Sequence, residues 1–119
     1  MRAKQVTADD SESPAANEVR LVGRLSRAAD SRELPSGDVV GTFRVVVPRL
    51  ATRGRPGVDA VDCAVWTART RRVVAGWQPG DVVEVRGALR RRFYRQAGAV
   101  ASRVEIEVTQ ARRLRRGRG

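Results

Sequence analysis

The sequence predicts an all-β chain folded as a small five-stranded Greek-key barrel, with one helix between its third and fourth strands. Two alternating apolar runs and the stretch between them carry that prediction. In residues 61–66 (VDCAVW), Val61, Cys63 and Val65 share one face and Asp62, Ala64 and Trp66 the other, because side chains alternate along a strand with period two. In the second run Val83, Val85, Gly87 and Leu89 take the inward parity, leaving Glu84, Arg86, Arg90, Arg92 and Tyr94 outward. Between the runs, Thr67 is placed to cap a helix over residues 68–78, with Val73, Val74 and Trp77 as its narrow apolar stripe, and Pro79-Gly80 stops it. A lone helix of that length cannot cover both faces of a sheet. It suits the plug at the end of a barrel, so an OB-fold is expected rather than a sandwich.

Residues 1–16 (MRAKQVTADDSESPAA) hold one valine and no aromatic, and are expected to form a disordered leader. The folded domain is placed at 17–114. Its first strand alternates Val19, Leu21, Gly23 and Leu25 with Arg20, Val22 and Arg24, and Gly23 marks the bend a barrel strand needs to close. Residues 29–38 follow as a loop or short irregular strand with Pro-Ser-Gly turn chemistry. The second strand, 39–47, turns Phe43, Val45 and Val47 inward and Arg44 outward. Residues 48–59 (PRLATRGRPGVD) read as a mobile basic loop beside the ligand face. After the centre, Gln96-Ala97-Gly98 is a hairpin tip, and 100–114 is the last strand, with Val104, Ile106 and Val108 set against Arg103, Glu105 and Glu107. Residues 115–119 form a basic tail, expected to be disordered. Phe93, Trp77 and Cys63 are assigned to the core.

Length supports one domain around one core. No run is apolar enough for a membrane span or a signal peptide, so a soluble, cytoplasmic, nucleoid-associated protein is expected. The single cysteine excludes an intrachain disulfide, and with no histidine the usual zinc sites are out of reach. No cofactor or metal is expected. The net charge is +11, and from Asn17 onward 22 basic residues face 10 acidic ones. Such an excess points to a polyanionic partner. All but one of the basic residues are arginine, whose planar fork matches phosphate oxygens and stacks on bases.

Four segments coincide with one family. NEVRLVGRL at 17–25, ELPSGDVVGTFRVVV at 33–47, VDCAVW at 61–66 and GDVVEVRGALRRRFY at 80–94, in that order and with fourteen residues from Trp66 to Gly80, resemble the bacterial single-stranded DNA-binding protein family. The resemblance implies an OB-fold, usually a homotetramer, that binds single strands with little sequence preference during replication, recombination and repair. It matches Trp66 to a stacking aromatic near the end of the third strand, and Tyr94 to another at the tip of the fourth. Both are rings that parity alone puts on the outward face. Two further aromatic positions of the family are here Leu50 or Ala51, and Ala60. The family's acidic, apolar tail has no counterpart in RRLRRGRG, so recruitment of proteins through such a tail is not expected, and an accessory paralogue is.

The expected interface is therefore Trp66 and Tyr94 for stacking, with Arg44, Arg53, Arg55, Arg86, Arg90 and Arg92 for phosphates. Stacking contributes about 1 to 3 kcal/mol per base. Roughly five phosphate contacts would cost on the order of 100-fold in affinity between 50 and 200 mM salt, so charge is expected to dominate. Parity favours a stacking Trp66 over one in the core or at a subunit interface. Three other functions stay open: a primosomal-type OB-fold dimer acting through protein contacts, a single-stranded RNA binder, and a nuclease. The last needs clustered carboxylates for metal, and Asp59 and Asp62 are the nearest pair.

Overall fold

The structure, a computed structural model, describes residues 13–49 and 56–117. The expected leader therefore lies outside the described residues up to position 12, as do Arg53, Arg55 and the last two residues of the tail. Six strands and one helix follow in order: β1 (Val19–Leu25), β2 (Asp30–Glu33), β3 (Val39–Arg49), β4 (Gly57–Val65), α1 (Ala68–Ala75), β5 (Val82–Gln96) and β6 (Ala99–Arg115). In the sheet β1 neighbours β5, then β6, β4, β3 and β2, and a second pairing of β1 with β3 closes the ring. All pairings are antiparallel except β4 with β6. This is the OB-fold, a five-stranded Greek-key barrel, with β2 added outside β3.

Closure occurs where Gly23 sits. Arg24, still paired with Val82 of β5, and Leu25 also pair with Val46 and Val45 of β3, and a Cβ at Gly23 would stand 2.3 Å from the Val46 carbonyl oxygen. Only a residue without a side chain lets the strands cross so closely. Inside lie Leu25, Phe43, Val45, Cys63, Val65, Val83 and Val85 with Ile106 and Val108. Trp77, 2% exposed, packs edge-on against Phe43 with ring centroids 5.5 Å apart. Burial pushes the Cys63 thiol up to about 12, helped by the charges of Asp62 and Glu105, so it stays protonated and unreactive.

Several expectations change. The helix ends at Ala75, three residues early, because the Gly76 and Trp77 amides donate to the Val73 and Val74 carbonyls and close the last turn. Of its stripe, Val74 is buried but Val73 faces solvent. The basic loop is shorter than expected: Pro48 and Arg49 already pair with Val58 and Gly57. The expected disordered tail begins inside the fold, since Arg115 pairs with Val82 and the Gly117 amide donates to Asp81. Leu89, Phe93 and Val104, assigned inward by parity, are exposed, Phe93 by 69%. The β5–β6 hairpin projects past the barrel end, and beyond Leu89 no second layer lies beneath it among the described residues. Parity still holds there, but neither face is core.

Glu84 was expected to face water and is instead buried, because arginines roof it: Arg20 and Arg112 donate to its carboxylate and Arg86 lies 3.6 Å away. Hydrogen bonds from Arg112 and Arg20 hold its carboxyl below the ordinary 4.5. Buried Asp81 accepts the Gln78 and Gly117 amides and Arg113, and those amides hold it below 3.8. A lowered folded pKa stabilises the fold fully above the ordinary carboxylate range and loses that contribution as pH falls through it. Thermal melts are therefore expected to drop below about pH 4.5, and to drop less steeply in Asp81→Asn and Glu84→Gln; equal acid limbs in parent and variants would refute this.

At the hairpin tip Ala97 has φ 53° and Gly98 φ 81°, between paired Gln96 and Ala99. Two positive φ values in a two-residue loop make a type I′ turn, which favours Asn-Gly. Ala97→Asn should stabilise the chain by about 0.5 to 1 kcal/mol in urea unfolding, since a left-handed alanine costs about 1 to 2 kcal/mol.

Candidate nucleic-acid interface

The outer face of β3, β4, β5 and β6 carries an open trough. One part, about 590 Å³, is bordered by Trp66, Tyr94, Phe93, Arg92, Arg32 and Arg103. It runs on, across Thr42 and Glu105, into a second hollow of about 330 Å³ flanked by Arg27, Arg44 and Asp62. Buried Val40 and Ala64 floor it.

Trp66 follows the last residue of β4, where the chain turns into α1. Arg71 on α1 fixes that turn, donating from one Nη1 to the carbonyls of Trp66, at 2.5 Å, and Val39, at 3.2 Å. The Trp66 ring is half-buried, and its Nε1 is enclosed with no hydrogen-bond partner among the described residues. The Arg92 guanidinium stands 5.8 Å from the ring centroid, within cation–π range. Tyr94, 43% exposed, projects from β5 two residues beyond Arg92 on the same face. A flat group could therefore lie against both rings.

Four arginines in and beside the trough are held by carboxylates. Arg44 Nε donates to Asp62 at 2.9 Å, and Arg90 Nε to Glu107 at 2.8 Å. Arg92 Nε donates to Glu105 at 3.0 Å, and its Nη2 lies 3.6 Å from Glu107. Arg103 reaches Glu105 at 3.5 Å. Glu105 is only 4% exposed because these two guanidinium groups close over it, which is why a position read as outward is buried. Each pair fixes a guanidinium fork where phosphate oxygens would meet it, and each also cancels a charge.

Of the eight residues expected at the interface, Trp66, Tyr94, Arg44 and Arg92 border this trough, and Arg90 joins it through the shared Glu107. Arg86 does not: it lies with Glu84, Gln110 and Arg112, in a hollow that includes neither ring. Arg53 and Arg55 lie outside the described residues. Arg27, Arg32 and Arg103 were missed. For Arg103 the signal was available, since it shares parity with Glu105 and Glu107, whereas Arg32 fell in a stretch read as loop.

The model of the single-strand binding protein family matches residues 16–114. The chain belongs to that family. Among curated members, the single-stranded DNA-binding protein of Bacillus cereus is 34% identical over 80 residues, covering 66% of this chain and 47% of its own. Single-stranded DNA-binding protein 2 of Listeria monocytogenes is 35% identical over 80 residues, 66% of this chain and 50% of its own. This family member thus spans about half the length of the curated relatives it matches. A solved Plasmodium falciparum SSB, in complex with ssDNA, superposes with a TM-score of 0.73 at 20% identity, covering 86% of this chain and 97% of that one. That likeness is one of fold.

Proposed function

We propose that the chain binds single-stranded DNA with little sequence preference, stacking bases on Trp66 and Tyr94 and placing phosphates at Arg32, Arg44, Arg90, Arg92 and Arg103, with Arg53 and Arg55 adding contacts from the segment between β3 and β4. One observation carries this reading: two outward rings share an arginine-lined trough on the barrel of a single-strand binding family member. The protein would protect single strands in the cytoplasm during replication, recombination or repair, without enzymatic activity. The carboxylates a nuclease would need are engaged elsewhere, Asp59 by Arg49 and Asp62 by Arg44. The test is a fluorescence titration with oligo-dT. Trp77 is buried and Trp66 borders the trough, so quenching reports on Trp66. No quenching and no binding would overturn the proposal, and competition by oligo-U would redirect it to RNA.

A homotetramer is proposed as the assembly. In its support, β1 pairs with β5 along Val19–Arg24 but with β3 only at Arg24 and Leu25, which leaves the other side of Val19–Gly23 as an open strand edge among the described residues. Light scattering checks the mass; a dimer would point to the primosomal-type alternative.

The ion pairs alter the balance expected from composition. Five arginines of the trough stand against Asp62, Glu105 and Glu107, so binding exchanges carboxylates for phosphates. For a short oligomer the slope of log K against log salt should be about −1.5, not the −3.5 of five free contacts. Glu107→Gln, which releases Arg90, should tighten binding about two- to fivefold and steepen the slope by roughly 0.7. An unchanged slope would show that Glu107 does not compete with phosphate.

A further inference from the structure

We infer that the reverse face of the β5–β6 hairpin is a second contact surface for the same nucleic-acid strand, centred on Phe93, Arg91 and Arg95. The inference rests on the single-strand binding proposed above and extends it past Phe93, at the border of the trough, to Arg91 and Arg95 outside it.

The two faces of the hairpin differ in charge. Cross-strand partners share a face, so Arg90 with Glu105 and Arg92 with Arg103 lie on the trough side, next to Tyr94 with Ala101. On the other side stand Leu89 with Ile106, Arg91 with Val104, Phe93 with Ser102 and Arg95 with Val100. The trough side contains carboxylates and its arginines are paired to them. The reverse side has none. Arg91 donates only to the Ser102 hydroxyl, at 3.1 Å, and among the described residues neither Arg91 nor Arg95 has a carboxylate within ion-pair distance. Free positive charge in this region therefore lies behind the trough.

An exposed ring sits between those two guanidinium groups. Phe93 is the most exposed large apolar side chain among the described residues, and sequence parity had assigned it to the core. A ring flanked by arginines without acidic partners offers a strand both things it needs, a stacking plane and phosphate contacts. A second copy of this chain fits less well. Six of its carboxylates, Asp59, Asp62, Asp81, Glu84, Glu105 and Glu107, are already held by arginines, which leaves only the scattered Glu18, Asp30, Glu33 and Asp38 of the described residues to meet two more.

The surface is also continuous with the trough. Phe93 borders the same trough as Trp66 and Tyr94. Beyond Leu89, whose amide and carbonyl are taken by the Asn17 side chain, β5 has no strand on its outer side among the described residues. A strand leaving Tyr94 can turn over that bare edge onto Phe93 without crossing any other described residue.

The experiment compares two oligo-dT lengths on the full chain, one of about 6 nucleotides that fits the trough and one of about 16, the upper range for one OB barrel. Phe93→Ala should lower affinity for the longer oligomer about tenfold or more, several times the loss for the shorter, because Phe93 only borders the trough. Arg91→Gln with Arg95→Gln should reduce the salt slope by about 1.4 for the longer oligomer only. If both lengths weaken alike, or neither the affinity nor the slope of the longer one moves, the inference fails. A fall in mass by light scattering with unchanged affinity for the longer oligomer would also overturn it, assigning the face to a second copy. A parent that binds neither oligomer would instead remove the single-strand reading itself.

Discussion

Replacing Trp66 with alanine is expected to weaken oligo-dT binding by about 5- to 150-fold and to abolish fluorescence quenching, with Tyr94→Ala falling in the same range without loss of the signal. The magnitude is that of one lost stacking partner, about 1 to 3 kcal/mol. Trp66 should fall toward the lower end. Its exposed face is already covered by Arg92, so a base gains only the difference between stacking and the cation–π contact it displaces, about 0.5 to 1 kcal/mol at an exposed site. Tyr94 carries no such cap among the described residues and should show the fuller loss. The two rings border one trough, so the double variant need not equal the product of the singles. Trp66→Phe keeps a ring and should recover most of the affinity, which separates stacking from a general disturbance of the β4–α1 turn. Wild-type affinity in both alanine variants, with melts unchanged, would place the interface elsewhere.

Local pattern was a faithful guide wherever two layers of chain face each other, and it failed where one layer stands alone. Cys63, Val65, Val83 and Val85 were legible because a strand inside a closed barrel has one dry side and one wet side. The same parity put Trp66 and Tyr94 outward. Past Leu89 the hairpin leaves the barrel, and alternation then sorts residues by face without saying that either face is buried, which is how Phe93 was misplaced. Glu84 and Glu105 show a second limit. Their burial comes from arginines on neighbouring strands, Arg20 and Arg112 over the first, Arg92 and Arg103 over the second. Those pairings depend on register, which a single sequence does not state. Counting charge gave the total correctly, yet it could not show that the trough cancels much of its own.

Gly87→Ala is expected to be among the most destabilising single changes in the chain, at about 3 kcal/mol or more, the upper end for forcing atoms into a packed site. A Cβ built there stands 1.9 Å from the Glu107 carbonyl oxygen and within 3 Å of the Glu107 carbonyl carbon and Val108 Cα. All three are backbone atoms, so no rotamer change relieves the clash. The strands themselves must part. Relief on either side is costly, because Gly87 pairs with Val19 of β1 and with Val108 of β6, where the register steps and leaves Thr109 unpaired. At about 4 to 8 °C per kcal/mol for a domain of this size, the melting temperature should fall by roughly 12 to 24 °C. Gly57→Ala is the control, since a Cβ at Gly57 meets nothing within 4 Å, and it should change stability by less than about 0.5 kcal/mol. The same step decides where the interface points. Arg90, Arg92 and Tyr94 follow Gly87 on β5, so any shift that accommodates the methyl group swings them relative to Trp66 at the end of β4, two strands away in the sheet. Below its lowered melting point Gly87→Ala should therefore bind oligo-dT more weakly than Gly57→Ala, although it alters no contact residue. Equal melting points for the two variants would mean that β5 and β6 do not approach as closely as this barrel requires.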